Sequence, residues 1–265
     1  MIKLTYQQED VQLIANYFVS ENKNAPLIIE IHGGAMCFGD ENSDVLLCEK
    51  LLNKTGFNVV SLGYRLAPKY PFPNGLNDVC NLYDKLVQDS NLTFDRNKII
   101  VMGHSAGANL AMGLVQSRNN IYKLILDYPW IDLYDGKRKY VLYGIPKFVF
   151  KDWMNKYCSN KNERKSPLVS PIYISDEKLS LFPKTLLIAC EEDTLKQDAK
   201  RLNDRFMKIN KPIIYIEYKK ARHGFIETCS SGRNVKNFYT SSKAVKNQGI
   251  CYDIAIKDIL KFLEE

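Results

Sequence analysis

Six short apolar runs rich in β-branched residues recur along the chain with helix-like segments between them, and this alternation constrains the fold more than any other feature. The runs cover residues 27–31 (LIIEI), 57–62, 98–102 (KIIVM), 122–127, 185–190 and 213–218. Their hydrophobicity is continuous rather than alternating, as in parallel strands covered on both faces. Residues 43–53, 76–88, 106–116, 195–209 and 252–263 read as helices. Strands alternating with helices predict an α/β architecture, doubly wound, with a mostly parallel central sheet flanked by helices. Ahead of the first run, residues 2–6 and 11–19 read as a short hairpin or edge strands. Residues 130–183 break the pattern: the stretch is long, aromatic-rich and lysine-rich, and it lies between two core strands like a small lid-like insertion. A chain of 265 residues suits one domain, 1–265, carrying that insertion.

Inside the third run's turn lies Gly103-His104-Ser105-Ala106-Gly107, after KIIVM and before ANLAMGLVQ. A strand–turn–helix is the context a G-x-S-x-G elbow requires. A side chain at 103 or 107 would collide with neighbouring chain, while Ser105 is thrust out above the sheet. A serine hydroxyl becomes a useful nucleophile only when a base takes its proton. The sequence has three histidines. His104 is next to the serine, where its side chain should diverge from it, and His32 belongs to a glycine motif two strands upstream. His223, in Ala-Arg-His-Gly-Phe just after the last run, is the candidate base by position and elimination. The acid that orients such a histidine should follow the preceding strand. There the chain offers Glu191, Glu192 and Asp193, with Asp198 beyond; Asp193 is favoured because it opens the loop before Thr194-Leu195. His32-Gly33-Gly34-Ala35 directly follows LIIEI, where exposed backbone N–H groups could meet a developing oxyanion together with that of Ala106.

The stretches IHGGAMCFGD (31–40), GYRLAPKYPFPNGLND (63–78), GHSAGANLA (103–111), SPLVSPIY (166–173), DTL (193–195) and HGF (223–225) make the chain resemble the hormone-sensitive-lipase-like carboxylesterases and acetyl esterases of the α/β-hydrolase superfamily. That resemblance implies an α/β-hydrolase fold, Ser105, Asp193 and His223 as catalytic triad, and Gly34, Ala35 and Ala106 as oxyanion hole. Ala35 stands where the family's third glycine would be, and Asp78 matches a family aspartate with a structural look. Two departures bear on substrate choice: only residues 1–26 precede the first family strand, and 227–249 is longer and more polar than the pattern.

Composition excludes more than it selects. Hydrophobic content is 45% and charged content 25%, as in a globular protein with a substantial core. No apolar run is long enough for a membrane span, and the N-terminus lacks signal-peptide features, so a cytoplasmic location is expected. The net charge of +7 comes from scattered lysines with no nucleic-acid-binding motif beside them. The seven cysteines form no CxxC pair and read as thiols. No cofactor or metal is expected. The leading reading is an ester hydrolase for small, short-acyl esters, with a small-molecule ester as partner and a homodimer compatible with the sequence. An arylformamidase or other small-amide hydrolase using the same residues is the alternative. A non-catalytic ligand-binding member of the fold is the third reading.

Overall fold

The computed structural model describes residues 1–8, 10–134, 147–231 and 241–265. Its strands are β1 (Ile2–Gln8), β2 (Val11–Phe18), β3 (Leu27–Ile31), β4 (Asn58–Leu62), β5 (Ile99–His104), β6 (Lys123–Asp127), β7 (Lys184–Glu192) and β8 (Ile214–Arg222). Its helices are α1 (Val45–Thr55), α2 (Asn74–Gln88), α3 (Ala106–Ser117), α4 (Lys147–Tyr157), α5 (Asp176–Ser180), α6 (Lys196–Lys208), α7 (Phe225–Ser230) and α8 (Ser242–Glu264). The strands form one sheet in the order β1-β2-β4-β3-β5-β6-β7-β8. β1, β2 and β4 pair antiparallel, and every pair from β4 to β8 is parallel. The expected hairpin is the antiparallel edge, and the six runs are the parallel strands.

Successive residues of a strand point to opposite faces. Leu27, Ile29 and Ile31 of β3 therefore join one apolar cluster with α2, α3 and α6, while Ile28 joins another with α1, α7 and α8. Both faces are covered, which is why the runs are continuously apolar. The seven thiols are free, five of them buried.

The described parts of 130–183, residues 130–134 and 147–183, are stitched to the body. Asp198 at the start of α6 accepts from the N–H groups of Ile131 and Asp132 at 3.1 and 3.2 Å. Asn109 of α3 donates to the carbonyls of Trp130 and Val169 at 3.0 and 2.9 Å. Trp130, Phe150, Met154 and Tyr157 belong to the same core cluster as α3. Two aromatics of this stretch, Tyr140 and Tyr143, lie outside the described residues.

One boundary differs clearly. The last helix starts at Ser242 rather than near residue 252. Ser241 caps it, its hydroxyl accepting from the N–H of Ala244 at 3.2 Å. The buried positions of its first turns include Gln248, a polar residue that hides the helical period in the sequence. Its amide is satisfied by the N–H of Arg222 and the carbonyl of Lys220. Two glycines make opposite demands. A Cβ on Gly107 would stand 2.0 Å from the carbonyl oxygen of Ile31, whereas one on Gly249, inside α8, meets nothing within 4 Å. Gly107→Ala is expected to destabilise the protein by about 3 kcal/mol or more, and Gly249→Ala to stabilise it by about 0.5–1 kcal/mol. Urea unfolding midpoints of the two variants should move in opposite directions.

Candidate active site

Ser105 sits between β5 and α3 with φ 53° and ψ −112°. A non-glycine residue held there stores about 1–3 kcal/mol of strain, which the surroundings must offset. They do so from both sides. The Ser105 N–H donates to the carbonyl of Asp127 at 2.9 Å, and its carbonyl accepts from the N–H of Trp130 at 3.1 Å. The crowding expected at the flanking glycines is present: a Cβ on Gly103 would lie 2.6 Å from the carbonyl oxygen of Gly107.

His223 follows β8, and its Nε2 is 2.8 Å from Ser105 Oγ. Its Nδ1 is 2.7 Å from Asp193 Oδ2. The other oxygen of Asp193 accepts from the N–H of Leu195 at 2.9 Å, which fixes the carboxylate. A register irregularity between Cys190 and Glu192 at the end of β7 redirects the chain there. Glu191 instead accepts from the N–H of Lys220 at 2.8 Å, and Glu192 pairs with Arg222 at 2.9 Å. Asp198 holds the Ile131–Asp132 backbone. Of the four acids weighed from the sequence, Asp193 is the one hydrogen-bonded to His223. Burial by itself would lower the His223 pKa, but the charge and hydrogen bond of Asp193, helped by the charge of Glu227, raise it above the ordinary imidazole value.

The loop after β3 orients two peptide planes. The Gly33 carbonyl accepts from His32 Nδ1 at 2.6 Å. The Gly34 carbonyl accepts from the N–H groups of Cys37 and Phe38, both at 2.9 Å. Across a trans peptide the N–H points opposite to the C=O. Anchoring those carbonyls therefore turns the N–H groups of Gly34 and Ala35 the other way, and both residues border the cavity above Ser105. By the same logic the Ser105 carbonyl, held by Trp130, fixes the N–H of Ala106, which as the first residue of α3 has no intrahelical acceptor. Ala35 has φ 54°, a left-handed conformation that the family's glycine would adopt without strain. His32 is buried and stacked on Tyr64 with ring centroids 4.2 Å apart. Burial pushes its pKa down to about 4, so it stays neutral and serves the loop rather than the serine. Asp78 is buried and bound bidentately by Arg65 at 2.7 and 2.8 Å, the structural part its motif suggested.

Beneath the elbow lies a buried polar cluster that the sequence reading missed. His104 Nδ1 is 2.9 Å from Asp127 Oδ2, and its Nε2 is 3.8 Å from Glu30 Oε1. Ser61 donates to Glu30 at 2.6 Å. These residues meet because β3, β4, β5 and β6 pair in register, with Glu30 opposite Ser61 and His104 opposite Asp127. Burial raises the Glu30 pKa to about 8, although His104 and the Ser61 hydrogen bond oppose the shift. Burial works against His104, yet Glu227 and Asp127 hold its pKa well above the usual value. Glu227, on α7, accepts from the Tyr128 hydroxyl. The signal was available: a charged residue inside LIIEI or KLILD must find a buried partner.

Above Ser105 opens a cavity of about 390 Å³, a size suited to a small molecule. Trp130, Phe150, Trp153 and Phe38 line one side, and their rings meet edge to face in sequence at 5.5, 5.2 and 5.8 Å. Of the other aromatics in 130–183, Phe148 is exposed and Tyr134 packs on Tyr173. Met36, in the same loop as Phe38, is buried in the core. Among the described residues no group of His, Cys, Asp and Glu is arranged to hold a metal, and no helix is long and apolar enough to cross a membrane.

Comparison with known proteins agrees with this architecture. An arylesterase of Saccharolobus solfataricus is 27% identical over 238 residues, covering 86% of this chain and 77% of that protein. An esterase of Fusarium pseudograminearum is 27% identical over 199 residues, covering 71% of this chain and 61% of the other. Among solved structures, a Rhizomucor miehei esterase superposes with a TM-score of 0.81 at 20% identity, covering 99% of this chain and 81% of that one. The hyperthermophilic esterase of Pyrobaculum calidifontis gives 0.75 at 23%, covering 96% and 85%. Residues 28–227 match a family model described as alpha/beta hydrolase fold, and the chain belongs to that family, in its hormone-sensitive-lipase-like branch.

Proposed function

We propose that the protein is a serine carboxylic ester hydrolase acting on small, short-acyl esters. One observation carries the reading: an unbroken hydrogen-bonded chain from Ser105 Oγ through His223 to Asp193, at the floor of a cavity bordered by Gly34 and Ala35. In this reading Ser105 Oγ attacks the ester carbonyl while His223 Nε2 takes its proton. The carbonyl oxygen becomes an alkoxide, stabilised by the N–H groups of Gly34, Ala35 and Ala106. Collapse of the tetrahedral intermediate breaks the bond to the alcohol oxygen, which receives the proton from His223. Water, deprotonated by His223, then hydrolyses the acyl-enzyme and regenerates Ser105. Asp193 orients the imidazole and stabilises the imidazolium in both halves. Relatives named as esterase and arylesterase support the same chemistry.

The acyl preference rests on the aromatic side of the cavity. Trp130 and Phe150 are almost fully buried, so they are walls rather than mobile covers. The described parts of this region, 130–134 and 147–183, act here as a fixed cap over the acyl site. Packed walls yield little to an oversized group, while each methylene that fits contributes about 1–3 kcal/mol. Activity on p-nitrophenyl esters is expected to peak between acetyl and butyryl and to be poor at palmitoyl, with the corresponding anilides much slower. An optimum at octanoyl or longer contradicts the short-acyl assignment.

Mutation tests the residues. Ser105→Ala should retain less than about one part in 10³ of wild-type kcat/KM with an unchanged circular dichroism spectrum. Asp193→Asn should lose about 10⁴-fold in turnover, whereas Glu191→Gln and Glu192→Gln should stay near wild type.

The pH profile follows from His223. The base must be neutral to accept the proton, and its folded-state pKa lies above the ordinary value. Activity is therefore lost as pH falls through that raised pKa. The acid limb of kcat/KM on p-nitrophenyl acetate should have its midpoint above the unperturbed imidazole value of about 6.5. A midpoint at or below that value contradicts the electrostatic role of Asp193.

A further inference from the structure

The cavity has a second wall that the hydrolysis described above does not use. Glu227 borders it from the His223 side, with Gly224 and Thr228 beside it. Glu227 also borders an adjoining space of about 130 Å³ lined by polar Asn42, Ser230 and Ser231. Glu227 thus faces both compartments, as does Asp44, which is buried to 7% exposure where Glu227 keeps more of its side chain open.

Its position is fixed from below. The Tyr128 hydroxyl donates to Oε2, and Tyr128 is itself immobilised, fully buried with its N–H on the carbonyl of Ile188 at 2.8 Å. Oε1 lies 4.0 Å from His104 Nδ1. The side chain nevertheless keeps 18% of its surface exposed. A carboxylate has about four acceptor sites, so one bond from a tyrosine leaves capacity for a ligand.

Charge narrows the ligand class. No lysine or arginine borders either compartment among the described residues, in a chain of net charge +7. A cleft with the opposite sign to its protein concentrates cations and repels anions. The chemistry also fixes which part of an ester meets this wall. The leaving oxygen must reach His223 Nε2, so the alcohol portion lies on the His223 side, beside Glu227, and the acyl portion lies toward the aromatic rings.

We propose that Glu227 is a specificity residue of this site, and that the preferred substrates are esters whose short alcohol portion carries a protonated amine. The inference rests on the ester-hydrolase reading and adds the substrate class. Hydrolysis with one water would release a carboxylic acid and an amino alcohol.

Three acetyl esters of matched size test it at pH 7: 2-(dimethylamino)ethyl acetate, its uncharged isostere 3-methylbutyl acetate, and the anionic 3-acetoxypropanoate. The readout is the ratio of kcat/KM for the cationic ester to that for the neutral one, which cancels any general loss of activity in a variant. In wild type this ratio should exceed that of Glu227→Gln by about tenfold or more, the size of a charge-assisted hydrogen bond. Glu227→Asp should restore part of it, the exposed-charge control Glu191→Gln should leave it unchanged, and the anionic ester should be the poorest substrate. If Glu227→Gln does not fold, competition on wild type decides: 2-(dimethylamino)ethanol should inhibit p-nitrophenyl acetate hydrolysis at least several-fold more strongly than 3-methylbutanol. A ratio unaltered by Glu227→Gln, or equal inhibition by the two alcohols, overturns the assignment while leaving the esterase reading in place. Absence of turnover of all esters, with no labelling of Ser105 by a fluorophosphonate, overturns both.

Discussion

Everything at the site depends on how closely the start of α3 approaches the end of β3. The Gly107 backbone lies against the carbonyls of Ile31 and His32, at a separation that leaves no room for a Cβ. That contact brings two loops, remote in sequence, onto the same spot: the elbow bearing Ser105 and the turn His32–Ala35. Backbone N–H groups after β3 can face an atom bound to Ser105 only because no side chain separates the strand from the helix. The strained φ of Ser105 belongs to the same constraint. It is held by a hydrogen bond on each side of its residue, to Asp127 and from Trp130, so the neighbouring strand and the following loop both lock the turn.

A second layer supports the first. Behind the elbow, Glu30, His104 and Asp127 occupy strand positions where an apolar residue would be cheaper, and burial raises the pKa of both acids. Buried ionisable groups of this kind are retained at a cost in stability and depend on having partners. Here the partners come from successive parallel strands, so the cluster cross-links β3, β4, β5 and β6 at the end of the sheet that carries the site. Through Tyr128, whose ring stands edge-on to His223 at 5.0 Å, it also reaches the histidine loop.

Much of this was legible in the chain, for identifiable reasons. The strands β3 to β7 announce themselves because both of their faces are buried, which leaves uninterrupted apolar runs, whereas β8, at the sheet edge, is only partly buried. The elbow is legible because its glycines answer to steric exclusion, a local rule. Asp193 was separable from Glu191 and Glu192 only by loop position, and the structure shows why the choice was narrow: the three acids are adjacent, and a register irregularity decides which one turns toward His223. What stayed hidden depends on contacts between distant segments. Glu227 belongs to no motif, and its neighbours Tyr128 and His104 lie about a hundred residues away in sequence. The beginning of α8 was hidden because Gln248 occupies a buried position that only its hydrogen bonds to the end of β8 can justify.

The stitching of Trp130–Asp132 and Val169 to α3 and α6 has a consequence for how this protein can change. Trp130 is 1% exposed and shares the main core, whereas Phe38 is 55% exposed at the cavity mouth. Truncating a wall of the first kind removes packing worth about 3–5 kcal/mol, a large part of a typical domain's whole stability. Altering the second kind costs little. Natural or laboratory selection for new substrates should therefore proceed from the rim inward, first changing residues that touch only the outer part of a ligand. The depth of the cavity is tied to the integrity of the fold and would be the last property to drift.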